Sequence, residues 1–287
     1  MRSVIAALLL LSCTASWAQS PLRIVAAETV YGDVAGQLAG PQWAVSSILS
    51  DPAQDPHLFE ASPSVARQIA DAAVVVLNGA DYDPWMRRLL SGAARAPSQQ
   101  VVDAGAVAGR RSGSNPHLWF DPAAMPIVAR AVAAALSRAD AANAAAYDAR
   151  LQAFIASLAP IDAKIAALRA RYAGVAVTAT EPVFGLMAAA LGLVVRNERF
   201  QLAVMNDAEP RLSDVAAFEA DLRQHRVRVL FYNSQASGAA ARRMVALARA
   251  NAVPVVGVSE TEPAGMTYQA WMLAQLDALD TALTPPP

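Results

Sequence analysis

The stretch "AANAAAYDARLQAFIASLAPIDAKIAALRARY", Ala141–Tyr172, decides how this chain of 287 residues is read. It is dominated by Ala, Leu, Ile, Arg and Asp, contains no strand-like run, and is interrupted only by Pro160. That pattern predicts one long helix, kinked where proline removes a backbone donor. On either side, short β-branched runs alternate with longer Ala-rich segments of helical period, the mark of βαβ units and mainly parallel sheets. The runs fall at 22–27, 43–49, 73–78 and 100–103 before the helix, and at 175–179, 193–197, 227–232 and 254–258 after it.

The expected fold is therefore α/β: two lobes with mainly parallel sheets, 20–140 and 173–283, joined by a connecting helix over 141–172. Helix starts are marked by proline just inside a polar residue, at Ser62-Pro63, Asp83-Pro84, Asp121-Pro122 and Glu181-Pro182. Two lobes leave a cleft between them, and small ligands favour such an interface. The Pro-rich tail, 284–287, reads as disordered.

Composition narrows the partners. Apolar residues make up 55% of the chain, enough for real cores, and the formal net charge of −1 gives no footprint for nucleic acid or an anionic membrane surface. Arg2, the apolar run Val4 to Leu11 and the small-x-small pattern Ser16-Trp17-Ala18 read as a secretory signal peptide over 1–19. The single cysteine, Cys13, falls within it. Leu11-Ser12-Cys13 also admits lipid attachment, although the preceding segment is short for a lipoprotein signal. A mature chain without cysteine has neither disulfide nor thiolate, so any metal must be held by His, Asp or Glu.

Only three histidines are present, and two of them share one word: "DPHLFEASP" places His57, and "NPHLWFDP" places His117, each between a proline and a Leu-aromatic pair. Ligands in open α/β sheets bind beyond the carboxyl ends of strands, so polar groups just after strands are the candidates. His57 and His117 follow the second and fourth runs. Glu181 ends "VAVTATE", and Glu260 ends "PVVGVSE", with Glu262 as its competitor. Two imidazoles and two carboxylates suit Zn²⁺ or Mn²⁺ better than Cu(I) or an iron–sulfur cluster. Each has a plainer reading beside it: Glu181 as a helix cap before Pro182, Glu260 as an exposed strand-end carboxylate. His225, in "RQHRVRV", reads as a solvated helix end, and Glu209, in "DAEPRLSD", as a residue preceding a helix.

The stretches "DPHLFEASPSVARQIADAAVVVLNGADYDPWMRRLL" and "NPHLWFDPAAMPIVARAVAAALSRADAANAAAYDARL" closely resemble the solute-binding proteins of zinc/manganese ABC transporters. The likeness continues through "ATEPVFGLMAAALGL", "RVRVLFYNSQAS" and "TYQAWMLAQLDAL". It implies two α/β lobes bridged by a long helix, one divalent metal at the lobe interface, and a membrane permease as partner. By position, His57 and His117 match the family's two N-lobe histidines. Glu181 stands where many zinc binders have a third histidine and some manganese binders a glutamate, and Glu260 stands at the C-lobe aspartate. The short "GAVAGRRSGS" replaces the His- and acid-rich loop of many zinc binders. That and Glu181 favour manganese, against zinc's generally tighter binding to a given site.

The reading is a monomeric periplasmic receptor that carries one Mn²⁺ or Zn²⁺ as cargo and performs no catalysis. Two alternatives compete with it. A metal-dependent hydrolase needs a general base such as Glu209 or Glu262, yet neither lies in an HExxH motif. A binding protein for an organic ligand or metal chelate needs aromatics lining the cleft, for which Tyr82, Trp85 and Trp119 are the candidates.

Overall fold

The computed structural model describes residues 21–52, 59–92, 96–235 and 238–284. The segment carrying His57, the signal segment with Cys13, and residues 285–287 lie outside the described residues.

The first half runs β1 (Leu22–Glu28), α1 (Thr29–Ala39), β2 (Trp43–Leu49), α2 (Pro63–Ala70), β3 (Val74–Leu77), α3 (Pro84–Gly92), β4 (Gln100–Asp103), α4 (Ala104–Val107) and α5 (Ala124–Ala139). The second runs β5 (Ala176–Ala179), α8 (Gly185–Ala190), β6 (Val194–Arg196), α9 (Glu198–Met205), α10 (Leu212–Arg223), β7 (Leu230–Asn233), α11 (Ala239–Ala250), β8 (Val255–Val258) and α12 (Tyr268–Leu283). Between them stand α6 (Ala144–Ser157) and α7 (Ala159–Tyr172).

The strands form two four-stranded parallel sheets, ordered β2-β1-β3-β4 and β6-β5-β7-β8. The two orders are the same permutation, so each sheet reverses direction between its first and third strands. Brändén's rule places ligands at such a switch point, beyond the carboxyl ends of β1 and β3 in one sheet and of β5 and β7 in the other. Interior strand β3, Val-Val-Val-Leu, is buried throughout, whereas edge strands β2 and β6 are partly exposed.

The linking segment differs from a single helix. Ala141–Asn143 forms a 3₁₀ turn, α6 ends at Ser157, and α7 restarts at Ala159 with Pro160 in its first turn. Proline is tolerated there because first-turn amides have no helical acceptor, so the break falls just ahead of it. The segment's length and alanine content would let it cross a membrane. Yet Tyr147, Leu151, Phe154, Ile161, Ile165 and Leu168 turn into the core, α6 lies on α5 and α1, and α7 on α12. Lys164, the only lysine, joins α7 to Asp277 (2.7 Å) and Asp280 (3.0 Å) of α12.

One hydrophobic cluster passes under both sheets, from Ile24 and Val76 through Phe120 and Phe184 to Phe231 and Trp271. Within it the rings of Phe120 and Phe184 (5.1 Å), Phe184 and Phe231 (4.7 Å), and Phe120 and Trp271 (5.5 Å) form a ladder joining the halves. Two smaller clusters cover the outer faces, one around Trp85 and Met86, the other around Phe200 and Phe218.

Proline marks helix starts unevenly. Ser62 caps α2 by accepting from the Val65 amide, and α3 begins at Pro84. At Asp121-Pro122 the helix waits until Ala124, while the Asp121 side chain accepts from the Ala123 amide. Glu181-Pro182 opens only a 3₁₀ turn, Pro182–Phe184, and the Glu181 side chain makes no cap.

Candidate metal centre

The two matching words share a packing logic. The aromatic two residues beyond each histidine is an anchor: Phe59 lies against Trp85 (4.7 Å), and Trp119, fully buried, packs edge-on to Tyr82 (5.1 Å). His117 sits on its own anchor, 5.6 Å from the Trp119 ring and 5.8 Å from that of Tyr82, with no exposed surface.

Hydrogen bonds then fix the imidazole. Asn115 Oδ1 accepts from the His117 amide (3.0 Å), which identifies it as the oxygen, and the same atom lies 2.8 Å from His117 Nδ1. Nδ1 must therefore carry the proton, which leaves Nε2 as the nitrogen with a lone pair to give. Asn115 Nδ2 donates across to the carbonyl of Pro182 (2.7 Å), so the first half orients its histidine by leaning on the second.

Nε2 of His117 faces Glu260 Oε2 at 3.2 Å, both side chains fully buried. Tyr82 Oη donates to the same oxygen (2.8 Å), and Asn233 Nδ2 donates to the other, Oε1 (2.7 Å). The Glu260 backbone amide is held by Gln235 Oε1 (2.6 Å). Asn233 Nδ2 also makes a short hydrogen bond to Glu181 Oε2. A single amide at the end of β7 thus spans the carboxylates that follow β5 and β8. Glu181 and Glu260 are buried, so neither is the exposed or capping residue of the plainer readings.

Tyr82 reaches Glu260 because the turn after β3 is left-handed at Gly79, Ala80 and Asp81 (φ 69°, 49° and 67°). Only Gly79 adopts this without strain, and a Cβ there would collide with Asp103 Oδ1. Asp83 holds the turn by accepting from the Asn78 and Gly79 amides (2.7 and 2.8 Å), and Asp81 holds it to Ser112 and the Gly113 amide. Burial, with Glu260 adding to it, pushes the Tyr82 hydroxyl well above its ordinary range, so it remains a donor.

Behind the turn lies Glu28, the last residue of β1, 2% exposed and with no donor to either oxygen. Burial first and Asp83 second raise its pKa well above the usual carboxylate value, which makes Glu28 the protonated partner of Asp83. Asp83 is itself raised to about 6, mainly by burial. Both groups hold protons more tightly folded than unfolded. Their stabilisation is complete below about pH 4 and is lost as pH rises, through about 6 for Asp83 and through the raised range of Glu28. Glu28→Gln keeps a donor for Asp83 without titrating, and is expected to flatten this fall and to gain about 1–3 kcal/mol over the unsubstituted chain at pH 8. Urea unfolding at pH 5 and pH 8 measures it, and an unaltered pH slope would refute the pairing.

The structure thus brings His117 against Glu260 and ties Glu181 to Glu260 through Asn233. His57 lies outside the described residues, and among those described no three His, Cys, Asp or Glu side chains form a group able to hold a metal ion. Glu262 does not share the contact with His117. Its amide donates to Thr29 Oγ1 (3.1 Å), and burial, with Asp33 nearby, raises its carboxyl to about 8. His225 is exposed just beyond α10, and Glu209 is exposed ahead of it. Trp85 and Trp119 are core residues and line no open cleft.

The sequence reading missed Asn115, Asn233 and Gln235 as site residues. Their one signal was position: Asn115 stands two residues before a histidine, and Asn233 and Gln235 close a strand run. Neutral amides in such places resemble ordinary loop residues until their long-range partners are known.

Two parallel sheets that meet at their carboxyl ends around a buried histidine and carboxylates define a two-lobed binding protein of the extracytoplasmic, metal-binding type. The chain belongs to the family described as ZnuA, zinc-uptake complex component A, periplasmic, whose model matches residues 24–282. In fold it is similar to the periplasmic zinc binding protein TroA from Treponema pallidum, with TM-score 0.79 and 19% identity over 93% of this chain and 100% of that one. The Mn-bound periplasmic metal binding protein from Candidatus Liberibacter asiaticus follows with TM-score 0.72 and 17% identity, over 92% of this chain and 100% of that one.

Among curated relatives, the metal ABC transporter substrate-binding lipoprotein ScbA of Streptococcus cristatus is 26% identical over 155 residues, 50% of each chain. The manganese-binding lipoprotein MntA of Halalkalibacterium halodurans is 30% identical over 103 residues, 35% of this chain and 34% of that one. The iron-binding protein YfeA of Yersinia pestis is 28% identical over 149 residues, 50% of this chain and 47% of that one. The chain thus spans half or less of the length of these curated relatives.

Proposed function

We propose that this protein is the extracytoplasmic receptor of a metal ABC importer, capturing one divalent Mn²⁺ or Zn²⁺ between its two sheets and handing it to a membrane permease. The observation that carries this reading is the preset imidazole: Asn115 holds the proton on Nδ1 of His117, so that Nε2 addresses the Glu260 carboxylate. Orienting a histidine by a hydrogen bond to its other nitrogen is the ordinary support of a metal ligand. In this reading His57 and His117 supply neutral nitrogens, and Glu181 and Glu260 supply oxygens. The ion is cargo, so no open coordination position and no general base are required. The curated relatives' names, which place lipoproteins beside ABC transporters, support a location outside the cytoplasm. Residues 1–19 would direct the chain to the periplasm and be removed, leaving a soluble receptor rather than one anchored at Cys13.

The test strips metal from the mature chain, from about Ser20 onward, and adds Mn²⁺ and Zn²⁺ separately. Each ion that is cargo binds one to one and raises stability by about 2.7 kcal/mol at a hundred times its Kd. The gain shrinks on acidification from pH 7.5 to 5.5, because protons compete for the same nitrogens and oxygens. Thermal melts unmoved by either ion would end the receptor reading.

A further inference from the structure

The Asn233 amide uses both of its N–H groups on carboxylates. Its orientation is fixed, because Oδ1 accepts from the Gln235 backbone amide (3.1 Å), and its own backbone amide is tied to Thr180 Oγ1 (3.2 Å). Asn233 is 2% exposed, so water does not compete for these bonds. One N–H engages Oε2 of Glu181, the other Oε1 of Glu260. A carboxylate oxygen that accepts a strong, buried hydrogen bond is the poorer metal donor of its pair, and the amide also blocks rotation that would bring both oxygens to one ion.

Resting on the receptor reading above, we infer that Asn233 is a positioning residue that restricts Glu181 and Glu260 to one donor oxygen each and thereby sets the ion preference of the site. With two imidazoles, two such carboxylates give four donor atoms, the number zinc takes in a tetrahedral site. Were both carboxylates bidentate, the same residues would offer six donors, richer in oxygen and closer to what manganese favours. Asn233 therefore biases the site toward ions that accept low coordination, against the preference for manganese that Glu181 alone suggests.

The experiment uses the metal-free mature chain, loaded in turn with Co²⁺, Zn²⁺ and Mn²⁺. Cobalt reports geometry, since tetrahedral Co²⁺ has intense visible bands and six-coordinate Co²⁺ weak ones. The unsubstituted protein is expected to show the intense bands. Asn233→Ala should lose them, weaken Zn²⁺ by about 10- to 100-fold, and weaken Mn²⁺ distinctly less. Asn233→Asp keeps the volume and the acceptor but removes both donors, and should move in the same direction if the alanine variant does not fold. Weak bands from Co²⁺ bound one to one in the unsubstituted protein would overturn the inference while leaving the receptor reading intact. So would equal weakening of both ions with an unchanged spectrum, the signature of a merely structural asparagine. Failure of the unsubstituted protein to bind any of the three ions overturns the receptor reading itself, and this inference with it.

Discussion

His117→Ala is expected to lower the affinity for Zn²⁺ and Mn²⁺ by more than about 100-fold. The bound follows from comparison: removing a group that only orients a metal ligand costs roughly 10- to 100-fold, and removing the ligand itself must cost more. Each tenfold step is about 1.4 kcal/mol of binding energy. His117 earns this weight through its setting, since the ring has no exposed surface, its tautomer is set by Asn115, and its Nε2 stands 3.2 Å from Glu260. Asn115→Ala frees the tautomer but leaves the nitrogen in place, and should fall inside the 10- to 100-fold range. Competition against a chelator of known affinity measures both variants, with circular dichroism to show that each is folded. An affinity within a few-fold of the unsubstituted protein would remove His117 from the ligand set.

Phe120→Ala is expected to cost about 3–5 kcal/mol of folding stability, among the largest effects of any single truncation in this chain. Phe120 is fully buried and touches three rings at once: Trp119 (6.3 Å), Phe184 (5.1 Å) and Trp271 (5.5 Å). Those partners belong to the first half, the second half and α12, so the cavity opens where they join and cannot be closed by one element moving. For a chain of this size the melting temperature should fall by roughly 6–20 °C. Urea unfolding gives the free energy directly. A loss below about 1 kcal/mol would mean that the ladder repacks, and that the halves are held together elsewhere.

Much of the architecture was legible because parallel sheets write themselves plainly. Buried strands such as Val74–Leu77 are continuous β-branched runs, and all eight runs became strands. The boundaries moved where burial and pairing part company. Val227 and Val229 are as buried as any strand residue, yet β7 starts only at Leu230, the first residue with a ladder partner in β8. The break at Leu158 was visible as Pro160, although a proline read as a kink inside one helix proved to begin a second. Strand order was not legible, since nothing in a run of valines names its neighbour.

The candidate site divides similarly. Histidines repeated in one word announce themselves in a chain with only three. The groups that aim them do not. Tyr82 sat in view only as a possible cleft aromatic, and its link to Glu260 depends on three left-handed residues, two of them not glycine, which local preference argues against. Asn233 joins residues 52 and 27 positions away. Such partners are products of topology, fixed only after the second sheet has assembled.

The core that runs unbroken beneath both sheets bears on how a transporter could tell a full receptor from an empty one. Prising the halves apart would expose the aromatic ladder, at a cost comparable to the whole folding stability of about 5–15 kcal/mol. Loaded and unloaded molecules must then present almost the same outline, and gross shape carries little information about cargo. What changes is the charge at the mouth of the cleft, where a dication neutralises two carboxylates, together with the posture of the short loops beyond the strand ends. A permease that spends fuel only on occupied receptors has to read that local difference, and the rims of the two switch points are where it would look.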